Sequence, residues 1–172
     1  MKRKKRLVRP IRRLSASGQE VLEKWEEGLE AIGAGFGSRS HDLDRDAYDQ
    51  ADSFAKREIY RLVNSLTDNR YRGALEHALL YKLQKEPRLP FALEPYFWAL
   101  KAADGDEGIS LGDDKVLNYG KILRYAAMHH IPPELLEGFA HQVGGIAAIK
   151  EKLKEGKTEV WLTQNLAWIA KS

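Results

Sequence analysis

Apolar side chains recur along this chain every three or four residues and nowhere in sustained alternation, so the pattern predicts helices and no sheet. Val21, Leu22, Trp25, Leu29 and Ile32 mark the first stripe. Ahead of it, Ser17 and Glu20 have the spacing of a capping box, in which hydroxyl and carboxylate each satisfy a free backbone N–H. A helix is therefore predicted over 17–32. Gly33, Gly35, Gly37 and Ser38 follow, and their backbone freedom reads as a hinge over 33–40, leaving open whether the first helix docks on the remainder.

A second stripe, from Leu43 through Ala51, Phe54, Ile59 and Val63 to Leu66, predicts the longest helix, starting at Ser40. Asp42, Asp44 and Asp46 would sit near its positively polarised start. Further stripes place a helix around Leu75, Leu79 and Leu83 that must end near Pro87 and Pro90, and another opened by Pro95. Asp104 to Gly112 reads as an exposed loop, after which Asp113 can cap a helix reaching about His129. Pro132 and Pro133 restart the chain into a short helix with Leu136, Phe139 and Val143, Gly144-Gly145 makes a turn, and a helix carrying Ile146, Ile149 and Leu153 stops at Gly156. Thr158 would cap a last helix with Trp161, Leu162, Leu166 and Ile169 as its buried stripe. The tryptophans at 98, 161 and 168 fall in such stripes and read as core, whereas Trp25, between arm and hinge, reads as a residue free to meet a partner.

Charge changes this picture more than composition does. Residues 1–19 hold eight basic side chains (Lys2, Arg3, Lys4, Lys5, Arg6, Arg9, Arg12, Arg13) and no acid, which leaves 20 basic against 25 acidic groups, a net −5, in residues 20–172. Self-repulsion and a shortage of apolar groups predict a disordered arm over 1–16, ahead of a folded body of opposite sign. Such an arm attracts polyanions by displacing their condensed counterions. An acidic protein partner, a membrane surface and a targeting signal would also accept it, the last implying nuclear import in a eukaryote.

The 172 residues contain no cysteine, so disulfides, thiolate nucleophiles and cysteine-based zinc sites are excluded, and a reducing, cytoplasmic setting is expected. No stretch approaches the ~18 consecutive apolar residues of a membrane span. Ala140 and Gly144 stand four apart beside Phe139 and Val143, as the first half of a helix-turn-helix requires. The second half fits less well, because Gly145 stands where an apolar residue is usual and Lys150 falls at a position normally buried. Lys150, Lys152 and Lys154 would supply phosphate contacts there, diluted by Glu151 and Glu155. His130, Glu134, Glu137 and His141 have metal-ligand chemistry at helical spacing, but Pro132 and Pro133 interrupt the face. The acidic stretches 42–46 and 104–110 lack the regular ligands of a calcium loop. No serine occupies a nucleophile elbow.

The sequence thus predicts an all-α, compact multi-helix domain (41–172) behind a disordered basic arm (1–16), an N-terminal helix (17–32) and a hinge (33–40), with a candidate helix-turn-helix-like hairpin near the C-terminus. The expected function is non-enzymatic, without cofactor or metal: nucleic-acid binding or regulation, DNA favoured over RNA, the arm giving affinity and the C-terminal helices orienting on DNA. The rival expectation is a protein–protein adaptor whose acidic body binds a partner while the arm holds an acidic surface or membrane.

Overall fold

A 25-residue helix, α1 (Ala16–Ser40), forms one side of the molecule. The computed structural model describes residues 13–42, 44, 46, 49–67 and 72–159. It continues with α2 (Ala51–Thr67), α3 (Arg72–Leu83), α4 (Pro95–Ala103), α5 (Asp113–Met128), a 3-10 turn (Pro133–Leu135), α6 (Leu136–Gln142) and α7 (Gly145–Glu155). The described residues include no strand, so the fold is all-α.

Helix α1 packs on α2 and α3, α4 pairs with α5, and α6 and α7 close on α5. Val21, Leu22, Trp25, Leu29, Ile32 and Phe36 of α1 enter the same apolar core as Ile59, Leu79, Trp98, Leu123 and Ile149. The N-terminal helix therefore docks on the body, and Trp25, fully buried, is a core residue and not a side chain awaiting a partner.

Several boundaries differ from those predicted. The cap of α1 is Ser15, whose Oγ accepts from the backbone N–H of Gly18 at 3.1 Å; Ser17 lies inside the helix. No hinge interrupts 33–40. A Cβ at position 33 would lie 2.2 Å from the Glu107 carbonyl oxygen, and one at 35 would lie 2.4 Å from the Phe54 ring. These glycines are small because neighbours approach closely, and the packing offsets their weak helix propensity. Helix α2 starts at Ala51, not Ser40, so Asp42, Asp44 and Asp46 lie in the connection. There Asp46 accepts from the backbone N–H of Asp49 at 2.9 Å. Arg39 clamps the joint: its Nε donates to Asp49 at 2.9 Å and its guanidinium lies 3.9 Å from the centre of the Phe54 ring.

The loop 104–112 is less open than its composition implies, since Ile109 and Leu111 are buried. The Asp104 carboxylate accepts from the backbone N–H groups of Leu111 (2.8 Å) and Gly112 (3.1 Å), drawing the loop shut. Gly112, at φ +82°, takes the cap position predicted for Asp113, which is the first helical residue and pairs with Lys101. At the other end of α5, Ile131 N–H donates to Ala126 and His130 N–H to Ala127. This is a Schellman motif with His130, at φ +51°, in the left-handed position usually held by glycine. Helix α7 ends the same way on Gly156, at φ +67°. The helix predicted after Thr158 lies outside the described residues.

Candidate functional site

Of the residues predicted to bind nucleic acid, four are among the described residues: Arg13, Lys150, Lys152 and Lys154. Lys2, Arg3, Lys4, Lys5, Arg6, Arg9 and Arg12 lie outside the described residues; Arg13 is exposed just before the Ser15 cap. On α7, Lys150 and Lys154 are exposed one turn apart and make no ion pair with any described residue. Ile149 takes the buried position, fully enclosed. Exposed Glu151 and Glu155 stand beside the lysines, so this surface carries mixed charge. Both turn glycines have left-handed backbone, Gly144 at φ +100° and Gly145 at φ +75°.

Lys152 points elsewhere. Its ammonium pairs with Glu159, a buried carboxylate that also accepts from the Tyr125 hydroxyl at 3.0 Å. The backbone N–H of Glu159 donates to His129 Nε2 at 3.4 Å. Burial pushes the His129 pKa below its ordinary value, and the charges of Lys152 and His130 act the same way against the opposing pull of Glu159. Burial, then Glu159, pushes the Tyr125 hydroxyl up. This cluster pins the chain after α7 against the end of α5, a structural task that α7's lysine spacing does not reveal.

The set His130, Glu134, Glu137 and His141 does not converge. Glu134 pairs with Arg61 at 2.6 Å, Glu137 pairs with Lys56 at 2.7 Å, and both histidines are exposed. Among the described residues, no group of three or more His, Asp or Glu side chains is placed to hold a metal ion. Most of the body's described cations likewise close onto its own carboxylates, as in Arg39–Asp49, Lys82–Asp106 and Arg124–Glu94.

The periodicity gave no sign of a recess of about 810 Å³, a cleft between the second half of α2, the start of α4 and the end of α5. Tyr60, Val63, Tyr96, Ala127 and Ile131 contribute its apolar wall, and Leu93 and Met128 stand exposed on its lip. Inside, the Tyr60 and Tyr96 rings lie 5.4 Å apart. Tyr96 donates to Asn64 Oδ1 at 2.6 Å and Tyr60 to the Ile131 carbonyl at 2.9 Å. Burial raises the pKa of both phenols, so they remain neutral donors.

Among the described residues no helix is long and apolar enough to cross a membrane. No known family, curated protein or solved structure matches this chain.

Proposed function

We propose that this chain is a non-enzymatic nucleic-acid-binding protein in which the basic arm ending at Arg13 supplies the affinity and the helical body orients or regulates what is bound. The observation that carries this reading is the segregation of charge: eight cations without an acid in residues 1–19, ahead of a net −5 in the remainder. Because the body's cations are largely neutralised by its own carboxylates, attraction to phosphates falls to the arm, with Lys150 and Lys154 as a secondary binding point. Gly144, left-handed ahead of α7, and Gly145, left-handed as its first residue, make the tight turn that a helix orienting on DNA would use.

The test is binding to duplex DNA, single-stranded RNA and anionic vesicles across salt concentrations. Removing residues 1–12 spares Ser15 and Leu14, which belong to the body, and should weaken binding sharply. The slope of log affinity on log salt should fall by roughly 0.9 for each duplex phosphate that the arm no longer neutralises. Lys150→Ala with Lys154→Ala should lower affinity further, with the fold intact. Unchanged affinity and salt slope after arm removal would sink the proposal.

The apolar cleft favours a second reading, an adaptor whose body receives a protein while the arm holds an acidic surface. Preference for vesicles over either nucleic acid would select it.

A further inference from the structure

The cleft between α2, α4 and α5 differs from the rest of the body in charge. Residues 20–172 carry a net −5, yet no described residue lining the cleft is acidic, and Arg124 is the one permanently charged group among them. The polar groups still open to a ligand are donors. Asn64 Oδ1 accepts from the Tyr96 hydroxyl at 2.6 Å, while the two amide N–H groups of Asn64 have no acceptor among the described residues. Arg124, half-buried, gives an N–H of Nη1 to the buried Glu94 at 2.6 Å and has four further N–H groups. Because Asn64 is tied to Tyr96 and Arg124 to Glu94, both donors are anchored at the start of α4, where Pro95 lines the same cleft. The volume of about 810 Å³ lies in the range of small-molecule sites, roughly 300–1,000 Å³.

We propose that the cleft binds a small apolar carboxylate, with its hydrocarbon body against Tyr60, Val63, Tyr96 and Ile131 and its head group toward Asn64 and Arg124. An ionised carboxylate only accepts hydrogen bonds, so it takes up these donors without competing for the acceptors that Tyr60 and Tyr96 already use. An ammonium head would instead meet Arg124 as a like charge and find no carboxylate on the described lining. A neutral alcohol would keep the apolar wall and lose the charge-assisted hydrogen bond. No described lining residue belongs to the arm or to α7, so this ligand would be bound whether or not the arm holds a nucleic acid.

Decanoate, decanol and decylammonium, each titrated below its aggregation concentration into the isotope-labelled full-length protein, supply the test. Decanoate should shift the Asn64 side-chain amide signals and the backbone signals of Val63, Tyr96 and Ile131 to saturation, binding more tightly than decanol and decylammonium. Met128 is exposed one helical turn from Arg124, so its charge can be varied without disturbing the core. Met128→Glu should weaken decanoate binding roughly two- to fivefold and Met128→Lys strengthen it by a similar factor, as an exposed charge does. Decanol affinity and both melting temperatures should stay close to those of the natural protein. Equal affinity for the three amphiphiles would overturn the proposal, as would saturable shifts confined to other residues or no saturable shift at all. So would shifts of the cleft signals on simple dilution without a probe, which would assign the cleft to a second copy of the chain.

Discussion

Glycines 33 and 37 share one helix, four residues apart, and have opposite surroundings. A methyl group at 33 meets the Glu107 backbone, which has no flexible end to move aside, whereas nothing lies within 4 Å of a Cβ at 37. Gly33→Ala should cost about 1–3 kcal/mol through overpacking. Gly37→Ala should instead stabilise by about 0.5–1 kcal/mol, because alanine loses less backbone entropy on entering a helix. Thermal or urea melts of both variants decide it, and a stabilised Gly33→Ala protein would contradict the close approach of α1 to the loop after α4. Glycine identity is plain in a sequence, but the neighbour that makes it necessary is not. The same residues that read as a hinge are the ones that let α1 continue to Ser40 against its neighbours.

At the scale of elements, the prolines and glycines that delimit α4, α6 and α7 act on their own backbone, and those helices fall where the pattern puts them. The boundary between α1 and α2 was not legible because packing from elsewhere in the chain decides it. The apolar cleft was hidden for a related reason: its walls come from three elements far apart in sequence, and apolar lining residues such as Val63 and Tyr96 read locally as part of a helix's core stripe. The joint between α2 and α6 is of this non-local kind. Lys56 is buried, with Nζ 2.7 and 3.0 Å from the two carboxylate oxygens of Glu137 and 4.8 Å from the centre of the Tyr119 ring. Lys56→Met alone should destabilise by about 1–3 kcal/mol, since it leaves a partly buried carboxylate without its donor. Pairing it with Glu137→Leu should recover most of that deficit, as apolar replacement of a buried ion pair often does. A double-mutant cycle in urea measures the coupling, and strictly additive effects would mean that the pair contributes nothing.

The whole molecule should respond to acid through His129. Its pKa is depressed in the fold, so between that depressed value and the ordinary 6.5 the unfolded chain binds the proton more readily. Stability is therefore fully present above about pH 6.5 and declines as pH falls below it, ahead of the carboxylate range. Denaturation midpoints collected between about pH 5.5 and 7.5 should show this decline in the natural protein and a flatter profile in His129→Gln. Equal slopes would mean that burial, Lys152 and His130 do not hold His129 neutral against the pull of Glu159. Of the candidate binding residues, the arm was legible as charge alone, as were Lys150 and Lys154. Lys152 was not, because its partner Glu159 lies beyond the end of α7.

The Ser15 cap also sets a distance. It fixes where α1, ~37 Å long, begins, and twelve residues precede Arg13 in the chain. Twelve residues at full stretch reach ~40 Å, which is a ceiling on how far the body can stand from the attachment point of a polyanion held by the first residues of the arm. The body's net −5 sets a floor, because its repulsion from phosphates persists over about one Debye length, ~8 Å at physiological salt. On the proposed function, a nucleic acid held by the first residues of the arm would therefore lie between these two bounds from the start of α1, within a few nanometres of the acidic body.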